Sequence, residues 1–150
     1  MPSASAIANK LPVLERFKSF YRNLGTMDLD SLGDIYDSAI VFRDPIHELR
    51  GLDNLHRYLF EMSASTTSMR FEYLDELVDH DTAYIKWCMY FSHKRLGSKV
   101  IEVRGISHIT FAERVTYHED VYDLGQMIYE NLPLIGSTTK WLKKRLSIQE

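Results

Sequence analysis

"SMRFEYLDELVDHDTAYIKWCMYFSHK", residues 68–94, is the stretch whose reading decides the fold. Upstream of it, apolar residues recur every three to four positions. From Ser68 onward they recur every second position, and β-branched and aromatic residues crowd together. His80-Asp81 interrupts the run as a turn, so it reads as two strands of a hairpin. "SKVIEVRGISHITFAE" (98–113) and "RVTYHEDVYD" (114–123) repeat the pattern, with turns at Arg95-Leu96-Gly97-Ser98 and Glu113-Arg114. Four long strands joined by short turns predict an antiparallel meander.

The residues before the meander read as helices around one more strand. "LPVLERFKSFYRNLG" (11–25) places Leu14, Phe17, Tyr21 and Leu24 at helical spacing, with Gly25 as the stop. "DLDSLGDIYD" (28–37) offers Asp28 as an N-cap and Leu29, Leu32, Ile35 and Tyr36 as the apolar set of a second, short helix. A strand, Ala39-Ile40-Val41-Phe42, follows and ends abruptly at Arg43-Asp44-Pro45. "GLDNLHRYLFEMSAS" (51–65) lines up Leu52, Leu55, Leu59 and Met62 as a third helix. The tail, 124–150, returns to helix with a break between Pro133 and Gly136, and Leu132, Leu134, Ile135, Trp141 and Leu142 are its expected packing residues. The predicted class is α+β: N-terminal helices packed on a strongly curved antiparallel sheet, with extra C-terminal helices. Such a sheet leaves a concave pocket between the layers, the natural place for a small-molecule site.

The bulk properties narrow the function. The chain has 150 residues, is 45% hydrophobic and 26% charged, and carries a formal net charge of -3. This is the profile of one globular domain, 1–150, with 124–150 as a helical extension. The balance is not that of a nucleic-acid binder. Cys88, the one cysteine, allows no internal disulfide. No leader is recognisable at the start, and no apolar run approaches the roughly 20 residues of a membrane span, so a cytoplasmic location is expected. None of the six histidines has metal-ligand spacing. Neither a G-x-G-x-x-G, a Walker loop nor a G-x-S-x-G is present, so no metal and no cofactor is expected. His80 and His93 fall near turns, His47 in a loop and His56 on a helix, where surface roles are the default. The basic tail "KWLKKRL" (140–146) has the composition of a membrane-surface helix and equally of a packed helix with a solvated face.

Chemistry-bearing residues emerge from strand parity. Asp44 shares a face with Ile40 and Phe42, and an apolar surround disfavours the anion and sharpens a carboxylate as a proton acceptor. The bland alternative is that Asp44 caps the turn after it. In 101–111, one face reads Ile101, Val103, Gly105, Ser107, Ile109, Phe111, so Ser107 is the polar exception on an apolar face, and His108 points away. In the last strand, Thr116, His118, Asp120 and Tyr122 form one face and Val115, Tyr117, Glu119 and Val121 the other. His118 and Asp120 then lie side by side, about 7 Å apart along the strand. That spacing suits a pair of acid/base groups bracketing one substrate proton, or a solvated pair on the sheet exterior. Trp87, Met89 and Phe91 share a face, as core residues or as a ligand wall.

"FYRNLGTMDLDSLGDIYDSAIVFRDP" (20–45), "GISHITFAERVTYHEDVYDLG" (105–125) and the order of elements resemble the nuclear transport factor 2-like superfamily, nearest to ketosteroid isomerases and SnoaL-like polyketide cyclases. The resemblance spans roughly residues 12 to 125. It implies a cone-shaped α+β barrel around a pocket for a small hydrophobic molecule, and a homodimer formed through the outer face of the sheet. It also implies that Asp44, in the strand-Asp-Pro position, is a general base. By the cyclase likeness Asp120 is an acid/base group, with His118 and Tyr122 turned to the pocket beside it. The isomerases' oxyanion Tyr falls on Phe20, one step from Tyr21, and their protonated Asp on Ser107, which leaves Ser107 or Tyr21 as a weak donor. The expected catalytic set is therefore Asp44, Asp120 and His118, with Ser107, Tyr21, Phe42, Trp87 and Tyr122 contacting the ligand. Limonene epoxide hydrolases share this fold but use an Arg-x-Asp on a strand, which the meander lacks. The implied activity is isomerisation or cyclisation of a hydrophobic carbonyl compound; the alternative is a non-catalytic binding module of the same fold.

Overall fold

The structure is a computed structural model that describes residues 11–97, 99–127 and 135–147. Helix α1 (Leu11–Tyr21) is followed by two 3-10 turns and the one-turn helix α2 (Leu32–Ile35). Strands β1 (Tyr36–Arg43) and β2 (Glu48–Arg50) precede helix α3 (Leu52–Ser65). The meander is β3 (Thr66–Asp79), β4 (Thr82–His93), β5 (Ile101–Phe111) and β6 (Val115–Tyr122). Two helices close the described chain, α4 (Leu124–Met127) and α5 (Ile135–Leu146).

The six strands form one curved, unclosed sheet in the order β2-β1-β6-β5-β4-β3. Its pairs are antiparallel except β1 with β6, which run parallel, matching Phe42 with His118 and Arg43 with Glu119. That pairing brings the opening strand beside the last one, and the two strand ends that carry Asp44 and Asp120 lie side by side.

Two local choices differ from the sequence reading. Helix α1 stops at Tyr21 because Asn23 caps the next 3-10 turn, exchanging hydrogen bonds with Thr26 at 3.0 and 3.2 Å, so Leu24 belongs to that turn. Asp28 does cap, accepting from the Asp30 amide at 3.1 Å, but the turn it caps is 3-10, and Tyr36 opens β1 instead of closing a helix. The parity of β6 is also broken. Phe111 faces Val115 while Thr110 faces Tyr117, so Thr116 bulges outward and Val115 and His118 both turn inward.

The main core lies between α1–α3 and the concave side of the sheet, built on residues such as Leu14, Phe17, Ile40, Leu55, Leu59, Ile85 and Ile109. At about 1.5–3 kcal/mol for each fully buried large apolar side chain, this contact fixes the helical layer on the sheet. A second cluster of Met69, Trp87, Phe91, Ile101 and Val103 lines the other end of the concave surface. The inward face of β5 is as expected, with Ile101, Val103, Gly105, Ser107, Ile109 and Phe111 all buried. In the tail the expectation fails for two residues: Trp141 and Leu142 are exposed, Trp141 lying under the Arg145 guanidinium at 5.3 Å. Lys143 of the same helix pairs with Asp123 at the end of β6. Leu132, Leu134 and the side chain of Ile135 lie outside the described residues. No helix among the described residues is long and apolar enough to cross a membrane.

Candidate functional site

The concave face of the sheet and helix α3 enclose a cavity of about 230 Å³. Its wall is aromatic and methionine-rich, including Phe42, Trp87, Phe91, Met62, Met69 and Met89. Met127 of α4 borders it from the C-terminal side. Asp44 and Asp120 both line this one cavity, together with Tyr58 and Tyr122.

Asp44 follows β1 and ends the strand because Pro45 cannot extend the ladder. Its side chain is 2% exposed and its oxygens are occupied. Oδ1 accepts from the amides of Ile46 (2.8 Å) and His47 (2.6 Å), and His47 Nδ1 lies 3.1 Å from each oxygen. The Tyr58 hydroxyl donates to Oδ2 at 3.0 Å. The turn-cap reading and the pocket reading are thus both realised geometrically: the carboxylate holds the "PIHEL" turn while one edge borders the cavity. Four donors occupy nearly all the lone pairs a carboxylate has. His47 keeps 38% of its side chain exposed and packs its ring 4.7 Å from that of Tyr58. Burial and the Asp44 carboxylate both push the Tyr58 phenol well up, so it stays protonated and donating.

Asp120 has a different environment. Ser107 Oγ donates to its Oδ1 at 2.5 Å, and His118 Nε2 lies 2.7 Å from the same oxygen. Among the described residues nothing donates to Oδ2, and the side chain keeps 20% of its surface open. The polarity of this network follows from its ends. An indole N–H can only donate, so the Trp87 contact to Ser107 at 2.9 Å makes Ser107 an acceptor there and directs its own hydrogen to Asp120. With a neutral imidazole, Nε2–H of His118 donates to Asp120 and Nδ1 accepts from the Tyr36 hydroxyl at 2.7 Å; Tyr36 in turn meets the Tyr21 hydroxyl at 2.6 Å. His118 itself is 1% exposed and edge-packed by Phe17 and Phe42 at 5.0 Å each. Burial pushes Tyr21 and Tyr36 well up, so both phenols stay protonated. Two donor chains therefore converge on one oxygen of Asp120 and leave the other to the cavity.

Trp87 reaches Ser107 because the neighbouring position on β5 is Gly105. A Cβ there would fall 2.3 Å from the indole, and only a bare backbone lets the ring lie across that strand.

The structure thus brings Asp44, Asp120, Phe42, Trp87 and Tyr122 to one cavity. His118 and Ser107 stand behind Asp120 and border only a narrow adjoining space. Tyr21 touches the cavity with its ring, but its hydroxyl is committed to Tyr36. Neither Ser107 nor Tyr21 offers a free donor, because each hydroxyl hydrogen is already directed elsewhere. The open phenol is Tyr122. Its hydroxyl has no partner among the described residues, and burial beside Asp44 and Asp120 pushes it well up. The sequence reading missed Tyr36, taken as helix filler, and Tyr58, whose signal was its place three residues after Leu55 and four before Met62 on the buried face of α3. Among the described residues no group of three or more His, Cys, Asp or Glu is placed to hold a metal ion.

The fold has known counterparts. A family model described as a SnoaL-like domain matches residues 17–118, which include β1, α3 and the meander as far as His118. The chain belongs to the SnoaL-like family. Among solved structures, this SnoaL-like protein resembles a proposed SnoaL-like polyketide cyclase from Shewanella putrefaciens, at 16% identity and a TM-score of 0.67 over 85% of this chain and 94% of the other. It is similar to an LEH-like epoxide hydrolase of M. tuberculosis at 14% identity and a TM-score of 0.67, covering 87% and 96% of the two chains. A protein with a ketosteroid isomerase-like fold from Catenulispora acidiphila, solved with trimethylamine, gives 14% identity and a TM-score of 0.67 over 76% and 87%. At these identities the likeness establishes the fold. No curated protein is a significant sequence match.

Proposed function

We propose that this SnoaL-like protein moves a proton next to the carbonyl of a hydrophobic compound held in the cavity, as an isomerase or cyclase without a cofactor. The observation that carries this reading is two carboxylates from neighbouring strands on one largely apolar cavity, one of them with a free oxygen. Asp120 takes the proton from the α-carbon: the C–H bond breaks, Oδ2–H forms, and the electron pair moves to the carbonyl oxygen. Tyr122 donates to that enolate oxygen. Asp120 then returns the proton to another carbon in an isomerisation. In an aldol closure, the enolate carbon instead attacks a second carbonyl of the same molecule, and Asp120 protonates the resulting alkoxide. Asp44, the general base that the resemblance implies, is the second acid/base candidate; to act it must release the Tyr58 hydrogen bond. His118 and Ser107 hold Asp120 in place.

The occupied oxygens of Asp44 favour a second reading, a non-catalytic module that only binds an apolar ligand. Exchange of α-protons of a bound aryl ketone with D₂O separates the two. We expect exchange to fall about 100-fold or more in Asp120→Asn, the lower end of what a positioned acid/base group contributes. A smaller loss is expected in Asp44→Asn. Exchange equal to that of buffer in the unmodified protein would leave the binding module. A homodimer through the sheet's outer face, where Tyr84, Ile106 and Val121 are exposed, and a cytoplasmic location belong to the same proposal. So does a weak contact of α5 with anionic membranes, supported by exposed Trp141, Leu142 and Leu146 among basic residues; vesicle binding that collapses at high salt tests it.

A further inference from the structure

The cavity has a second polar end that proton transfer does not use. Thr66 and His93 are Cα partners across β3 and β4, Ser65 precedes Thr66 at the end of α3, and all three line the cavity. This end is set apart from the carboxylates along both walls: on α3, Ser65 lies seven residues, about 10 Å of helix, beyond Tyr58, whose hydroxyl bonds Asp44. Trp87 is level with Gly105 and, through it, with Tyr122, and His93 lies six residues further along β4. At strand rise that is a contour of about 20 Å, shortened in space by the curvature of the sheet.

Hydrogen-bond polarity fixes what this end offers. The amide of Arg95 donates to Nδ1 of His93 at 3.0 Å, so Nδ1 carries no hydrogen and the ring's proton sits on Nε2. Among the described residues, that Nε2–H has no acceptor. Ser65 Oγ donates back to the helix carbonyls of Glu61 and Met62 at 3.1 and 3.0 Å, and Thr66 Oγ1 donates to Met62 at 2.7 Å. Each hydroxyl has one hydrogen, already committed, so both present lone pairs alone. The far end therefore has one fixed N–H donor beside two acceptor oxygens. A carboxylate or phosphate would oppose two sets of lone pairs, and an ammonium would oppose the N–H. A hydroxyl matches, accepting from His93 and donating to Ser65 or Thr66.

We infer that Ser65, Thr66 and His93 form a hydroxyl-recognising subsite, and that the ligand is an elongated apolar carbonyl compound with an alcohol or phenol at the end opposite its reacting carbonyl. The carbonyl end of this statement rests on the proposed function; the hydroxyl end rests on the His93 geometry alone.

The test uses 4-acetylbiphenyl and 4-acetyl-4′-hydroxybiphenyl, and the corresponding terphenyl pair so that length does not decide the result. Affinities are measured by calorimetry with the unmodified protein and His93→Phe. In the unmodified protein the hydroxyl of one pair should tighten binding by about tenfold, as one well-made hydrogen bond does, and in His93→Phe that ratio should fall to about one. The ratio is the readout, so a general loss of fit in the variant does not imitate the result. Nitrogen-15 spectra of the free protein should also show His93 protonated on Nε2 alone. No hydroxyl preference in either pair, the same ratio in both proteins, or a proton on Nδ1 would overturn the subsite. Acetyl-proton exchange in D₂O with the deoxy probes reports the proposed function separately. Exchange with a flat hydroxyl ratio removes only the subsite, while no binding of any probe removes both.

Discussion

The Tyr36 hydroxyl lies 2.7 Å from Nδ1 of His118, on the side of the ring away from Asp120. Their rings are parallel, 8° between planes, with centroids 6.0 Å apart. The Asp120 carboxylate can only accept, so a neutral His118 carries its hydrogen on Nε2 and its Nδ1 accepts from Tyr36. A carboxylate oxygen at 2.7 Å from Nε2 and a phenol at Nδ1 satisfy the imidazole completely in a site that water does not reach.

Replacing Tyr36 by Phe keeps the ring and removes the hydroxyl. One buried nitrogen then loses its partner, at a cost of about 1–3 kcal/mol in urea unfolding. Nitrogen-15 spectra should show His118 as the Nε2–H form in both proteins, with the Nδ1 resonance shifted in Tyr36→Phe by the lost hydrogen bond. An unmoved Nδ1 resonance would mean that the phenol does not bond the ring. Proton exchange by the variant should fall with a displaced pH profile, a change that lost packing by itself does not produce.

Asp44 gives a way to separate scaffold from chemistry at one position. Asn keeps an acceptor oxygen for the amides of Ile46 and His47, whereas Ala leaves both without one. Each hydrogen bond to the neutral amide oxygen is worth about 0.5–1.5 kcal/mol. Asp44→Ala should therefore unfold at clearly lower urea than Asp44→Asn, by about 2 kcal/mol, with the isotropic melting of both still cooperative. Equal stability of the two variants would show that the turn does not depend on the cap.

Much of this was legible because β-strand parity is short-ranged. Ile40, Phe42 and Asp44 follow one alternation without interruption, and so do Ile101 to Phe111, so their inward faces could be read directly. His118, Asp120 and Tyr122 were placed together by the same rule. What parity could not show is where a bulge resets it: Val115 and His118 turn inward together only because Thr116 is extruded. Long-range partners were equally hidden. Tyr36 and His118 are 82 residues apart and meet only through the parallel β1–β6 pairing. His93 read as a turn residue because its neighbours are polar, although it continues the alternation of Trp87, Met89 and Phe91 onto the cavity.

Gly105 is the point where one added methyl group should reach the site. A Cβ placed 2.3 Å from the Trp87 indole cannot be accommodated without moving the ring. Gly105→Ala should cost about 1–3 kcal/mol, as overpacking does. It should also break the Trp87–Ser107 bond, freeing the Ser107 hydroxyl to rotate away from Asp120. The Trp87 emission should shift to the red relative to the unmodified protein. A variant of normal stability and emission would mean that the strand itself moves aside.

Asp123 ties the C-terminal helix to the end of β6. Its carboxylate accepts from the Gly125 amide at 2.8 Å and from Lys143 Nζ on α5. Lys143 is the largest influence and holds the Asp123 carboxyl below its ordinary value of 3.8, with burial opposing. A depressed folded value means that the unfolded chain binds this proton first as the solution is acidified. The contribution is therefore complete above the unfolded value and is lost as pH falls through the lower, folded one. Amide spectra of residues 140–146 should stay constant from neutrality to about pH 5 and change steeply below about pH 4. Asp123→Asn should show the detached pattern already at neutral pH. Because both side chains are 45% exposed, salt should weaken the contact in the unmodified protein and leave the variant unaffected. Identical acid profiles in the two proteins would show that α5 is held by something other than this pair.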